Sequence, residues 1–227
     1  MNLRLNPSMI YKLTTKDFLL FRPFLVVYIL ICALAAGVMI APIEGAYYLG
    51  VILVITVSIG SGIHFALTSV IIEKKENQMS FIMGLPINAT DYAVSKTVGG
   101  MVVYFLNWLP MLVITLSLIY FSHLPNGLIP ISILCFLQIL TGVVVVLCIG
   151  VGTGSEGFTI VMVVIFNILF NLFLSVVGQL PGISEFIQGN EAVFNATFFS
   201  VFGIEILALI LVLSLTLFIK SRNACFL

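Results

Sequence analysis

Charge is what this chain has least of. Of its 227 residues only 8% are Asp, Glu, Lys or Arg, while 61% are hydrophobic; an ordinary soluble domain carries about 25% charged residues. A surface facing water cannot be covered with so few solvating side chains. The composition excludes a cytosolic globular enzyme, a nucleic-acid binder with a basic face, and a disordered tail. Nine Lys/Arg balance nine Asp/Glu, so the net charge is uninformative and only its placement matters. A mean hydropathy of +1.26 belongs to an integral membrane protein.

Chemistry-bearing motifs are equally sparse. Cys32, Cys135 and Cys148 lie within apolar runs and Cys225 near the end, with no CxxC pair and no Cys/His cluster at zinc spacing. Neither a disulfide framework nor a metal site is indicated. The two histidines, His64 and His123, are too far apart for a metal cluster. No GxxxxGK[ST] loop occurs, so ATP hydrolysis through a phosphate loop is not done by this chain. The run from Gly152 to Gly157 formally matches GxGxxG, but no predicted strand precedes it and it joins two membrane spans. Gly150 and Gly154 read instead as a GxxxG at a helix end. Ser61 and His64 lie three apart on one helix, and no GxSG turn precedes a span, which argues against an intramembrane protease. Ser58, Gly62 and Ala66 form a small-xxx-small stripe, a helix-packing face. No catalytic residues emerge.

What the chain does have is long apolar runs. A helix needs about 20 apolar residues to cross ~30 Å of hydrocarbon, and six runs qualify: residues 23–43, 49–72, 97–121, 128–151, 158–177 and 197–219. Continuous runs favour helices over barrel strands, which would alternate with period two. Breakers separate them: Pro42 with Gly45, Pro86, Pro125 to Gly127, Gly152 to Gly154, and Pro181 with Gly182. The first run is too long for a typical signal h-region and is expected to remain as a span. Six spans with both termini inside place all nine basic residues in the inner segments 1–22, 73–96 and 220–227. The outer segments contain no Lys or Arg, as the positive-inside rule requires. The expected architecture is a single all-α domain of six spans over residues 23–219, with residues 220–227 as a cytoplasmic tail.

Two inner segments carry further signals. Before the first span, Lys12 and Lys16 share a helical face, and Leu13, Leu20 and Phe21 suit an acyl boundary. This predicts an interfacial amphipathic helix within residues 1–22. The long inner loop, residues 73–96, holds the densest charge in the chain. Glu73, Lys74, Lys75 and Glu76 are followed by Met79, Phe81, Ile82, Met83 and Leu85, enough for one short helix that Gly84 and Pro86 end. Asn88 or Thr90 is placed to cap the next helix, with Asp91 in its first turn. Apolar side chains on a short helix at the membrane face need covering, by lipid or by a soluble partner.

This loop resembles the hallmark segment of the ABC-2 type transporter permeases. In that family a charged E-[KR] turn follows the second span. A short hydrophobic element, a [LM]-P-[IL]-[ST] step and an acidic-aromatic pair then lead to a lysine before the third. Here these elements read Glu73-Lys74-Lys75-Glu76, then Ser80-Phe81-Ile82-Met83-Gly84-Leu85-Pro86-Ile87, then Asp91-Tyr92 and Ser95-Lys96. Asn88 stands where Ser or Thr is commoner. The run from Lys16 to Arg22 resembles the family's approach to its first span. The resemblance implies the membrane half of an ATP-driven exporter, a dimer with a second copy or a homologous permease. A separate ABC ATPase would carry the ATP and Mg, and this chain no cofactor. It implies that residues 73–86 form the coupling helix, with Glu73, Lys74, Lys75, Glu76, Ser80, Phe81, Ile82, Leu85 and Pro86 at the contact. Apolar side chains there supply a buried core and the charges a polar rim. The implied location is a bacterial cytoplasmic (inner) membrane.

On the outer side, Ile183, Phe186 and Ile187 are at helical spacing. A short helix at or dipping into the outer leaflet is expected, with a simple polar loop as the alternative. The resemblance implies that it helps close the exit of the pathway. Glu205 is the only acid well inside an apolar run, and it falls in the outer half of the sixth span. An ionised acid near the bilayer centre costs on the order of 3 kcal/mol. It is therefore expected to face protein or a wet cavity, or to be protonated, either gating the exit or bonding between helices. The scarcity of buried charge mildly favours peptides or other amphipathic cargo. The alternative class is a non-transport immunity or assembly protein of the membrane.

Overall fold

The computed structural model describes residues 6–43, 45–69 and 89–222. The expected coupling segment, residues 73–86, lies outside them. Six helices are found: α1 (Pro7–Met39), α2 (Ala46–Leu67), α3 (Ala89–Phe121), α4 (Leu128–Thr153), α5 (Glu156–Val177) and α6 (Ala196–Arg222), with no strand among the described residues. All six are long and apolar enough to cross a membrane. The chain is a multi-pass membrane protein.

Two helices begin earlier than the apolar runs predict. Residues 7–22 of the expected arm run on into the first span as one helix, because α1 continues unbroken through Pro23. Proline removes the bond to the carbonyl four residues back, here that of Leu19, whose side chain is exposed. The helix is held along its length by burial of every fourth residue, Leu13, Asp17, Phe21 and Leu25. Leu13 and Phe21 are thus core residues, not contacts for acyl chains, while Leu20 remains exposed. The third helix likewise starts at Ala89, eight residues before its apolar run.

The bundle is built around α4. In its most apolar window 67% of residues are buried, against 6% in α6 and 17% in α5. It packs against α2, α3, α5 and α6, while α1 packs along α2 and α3. Close approach depends on missing side chains at a few positions. A Cβ on Gly62 of α2 would collide with Val143 of α4 and Tyr104 of α3, and one on Gly142 of α4 with the Phe166 ring of α5. Ser58 and Ala66, one turn either side of Gly62, are buried on the same stripe. Gly150 is buried near the end of α4, and Gly154 caps that helix with a left-handed φ of 59°.

Candidate functional site

The helix that follows the expected coupling segment is α3, and its first turns are tied to α1 by polar bonds. Asp91 lies in the first turn, where a helix N-terminus favours negative charge. Its Oδ1 accepts the backbone N–H of Asn6 at 3.0 Å, while the Asn6 side chain caps α1 by accepting the Met9 N–H. One turn further on, the Lys96 ammonium donates to both carboxylate oxygens of Asp17 at 3.0 Å. It also lies 5.9 Å from the centroid of the Tyr92 ring.

The charge pattern marks Lys96 as an ordinary inner-loop lysine. In the structure it is 1% exposed and Asp17 2%. An uncompensated charge so buried would cost several kcal/mol; the shared pair is what allows both residues to be there. In the sequence Asp17 and Lys96 are only two of several charges in segments assigned to one side of the membrane. Composition alone cannot pair residues 79 positions apart.

A second polar cluster lies deeper, between α2 and α3. Asn107 donates through Nδ2 to the Ser61 hydroxyl at 2.8 Å, Ser61 donates to the Ser58 carbonyl at 3.0 Å, and the Tyr104 hydroxyl donates to that carbonyl at 3.2 Å. Interhelical bonds of this kind hold membrane helices together. Ser61 is therefore engaged with Asn107, while His64 sits among Phe21, Phe24, Tyr28 and Phe65. The two do not form a nucleophile–base pair.

The residues expected to close an exit lie on two elements, Phe186 and Ile187 on the segment after α5 and Glu205 on α6. The segment after α5 is a succession of tight turns over residues 178–188, not the expected short helix. Pro181 and Gly182, the latter at φ 84°, interrupt it. Ile183 anchors the segment by burying against Leu134, Val177 and Phe198. Asn195 holds it too: its Nδ2 donates to the Gly182 carbonyl, and its Oδ1 caps α6 by accepting the Phe198 N–H. Ile187 lines a cavity of about 520 Å³, while Phe186 stays partly exposed. Glu205 sits in the first half of α6, 4% exposed, and neither carboxyl oxygen has a hydrogen-bond partner among the described residues. It is not part of the cavity wall, but Cys135, which is, lies within electrostatic range of it.

Among the described residues no group of His, Cys, Asp and Glu is arranged to hold a metal ion. No family model matches the chain, and neither a curated protein nor a solved structure does.

Proposed function

We propose that this chain is the membrane-spanning permease subunit of an ATP-driven exporter of the ABC-2 type. It would pair with a second permease copy and take its energy from a separate ATPase that docks on residues 73–86. The observation that carries the reading is the bonding of α3 to α1. The helix that follows the docking segment is fixed to a neighbour by a buried ion pair and a charge-assisted cap, Lys96 to Asp17 and Asp91 to Asn6. A push on the segment would pass into two membrane helices as a unit, and coupling needs such a rigid connection. Loose loop residues would absorb the push.

The charge distribution supports an inner position for that segment. The apolar spans support peptide-like or other amphipathic cargo, and the unpartnered Glu205 carboxyl supports a place on or beside the exit path. The test begins with the chain isolated from its native membrane together with any bound ATPase. Phe81→Asp and Leu85→Asp are expected to release that ATPase from a still-folded permease. Lys96→Ala combined with Asp17→Ala, which strands no buried charge, is expected to retain the ATPase but abolish ATP-driven export into vesicles. An ATPase that stays bound to both loop variants, or full export by this chain alone in lipid vesicles, would overturn the reading.

A further inference from the structure

A cavity lies at the α1–α2 and α3–α4 connections, and the export reading leaves its chemistry unused. Its volume of about 520 Å³ falls within the ~300–1,000 Å³ typical of small-molecule sites. Close-packed interiors leave few voids larger than a water molecule, and an apolar void does not hold water well. The inner wall is aliphatic and aromatic, with Val54, Ile55, Ile119 and Phe136 among its residues, and among the described residues no charged side chain lines it. Two hydroxyls in the wall are already committed: Thr115 donates to the Met111 carbonyl at 2.9 Å and Ser132 to the Leu128 carbonyl at 2.8 Å. Polar groups that face outward gather at the mouth, where Tyr48 and Gln188 are exposed. The site has a largely apolar interior and a polar rim.

The mouth is also fastened. The Gly127 N–H donates to the Gly189 carbonyl at 2.9 Å, and a Cβ on Gly127 would strike the Phe186 carbonyl. The turn that carries Ile187 and Gln188 is thereby held down against the start of α4.

We propose that this cavity is a binding site for a single hydrocarbon chain, with the polar end of the amphipath at the Tyr48–Gln188 rim. The wall is mostly apolar and matches a chain of methylene groups, and its described residues offer no charge to an ionic body. The rim matches a small polar head. The proposal goes beyond the export reading and does not rest on it, because it concerns this chain alone.

The experiment uses the purified full chain in nanodiscs of defined phospholipid. One arm adds a twelve-carbon alcohol bearing a diazirine near its tail (about 520 Å³ of space accommodates a ligand of this class). A second arm builds the disc with a phospholipid carrying the diazirine in its acyl chain. After photolysis, adducts are mapped by mass spectrometry of the digested protein. Adducts at Val51, Thr115, Ser132 or Ile187 are expected. Labelling from the alcohol identifies a free amphiphile as the source, and labelling from the disc lipid identifies the bilayer. Ser132→Phe, which fills the space, is expected to reduce this labelling on the order of tenfold, the effect of losing about 1.4 kcal/mol of binding. Val51→Phe fills it from the facing wall should the first variant fail to fold. Adducts confined to outward faces, such as Phe105 and Val113, would overturn the proposal. So would cavity adducts unchanged in a folded filling variant.

Discussion

Lys96 and Asp17 share one charge balance, and their energetics differ from those of a surface pair. An exposed ion pair is worth roughly 0–1 kcal/mol, whereas removing one member of a buried pair strands the other at a cost of about 3–5 kcal/mol. Lys96→Met is therefore expected to destabilise the folded protein by about that amount, measured by unfolding in mixed micelles. Adding Asp17→Leu to the same chain should recover most of the loss, since an apolar replacement strands no charge. If the double variant is no better than the single, the pair is not the source of the effect. Glu205 calls for the opposite reasoning. Neither of its oxygens has a partner among the described residues, and a buried polar group without one costs about 1–3 kcal/mol. Glu205→Leu is thus expected to raise the melting temperature in detergent while impairing export, the usual conflict between stability and a working site. Unimpaired export by both Glu205→Leu and Glu205→Gln would leave the acid a packing residue. The sequence made Glu205 conspicuous because it interrupts an apolar run. It hid Lys96 because a lysine in a charged loop looks like every other lysine there.

At the scale of helices, apolar length was enough to count six, and small residues at a spacing of four marked the tight face of α2. Gly62→Leu is expected to lower stability by about 1–3 kcal/mol through overpacking against Val143 and Tyr104. Gly60→Leu, where an added Cβ meets nothing within 4 Å, should be nearly neutral in the same melt. Helix ends were less legible. Hydropathy places the start of a span where apolar residues begin, whereas α1 and α3 run on for several turns through polar residues. Those extensions are stabilised by each other, through Asp17, Lys96, Asp91 and Asn6, and a single-segment reading has no access to a partner. The turns over residues 178–188 were misread for a related reason. Apolar side chains at helical spacing are also what a folded-back chain needs in order to dock on α4 and α6, and Pro181 and Gly182 decide between the two.

For the whole molecule, the sequence assigns orientation through the placement of nine basic residues, all in segments expected inside. Single cysteines at Lys74 and at Gln188, in a chain otherwise cleared of cysteine, provide the check. In sealed right-side-out vesicles a membrane-impermeant maleimide is expected to label position 188 and spare position 74, with the pattern reversed in inverted vesicles. Labelling of position 74 from outside would turn the molecule over and remove the docking segment from any cytoplasmic ATPase. The buried ion pair also bears on how the protein is made. During synthesis α1 emerges long before Lys96 does, so the acid of Asp17 must wait, uncompensated, while α2 is delivered to the bilayer. Insertion one helix at a time would leave that carboxylate without its buried partner beside the membrane. The first two helices are better retained at the insertion machinery until the third arrives, and a chain stopped after Leu67 is expected to be a short-lived substrate for membrane proteolysis.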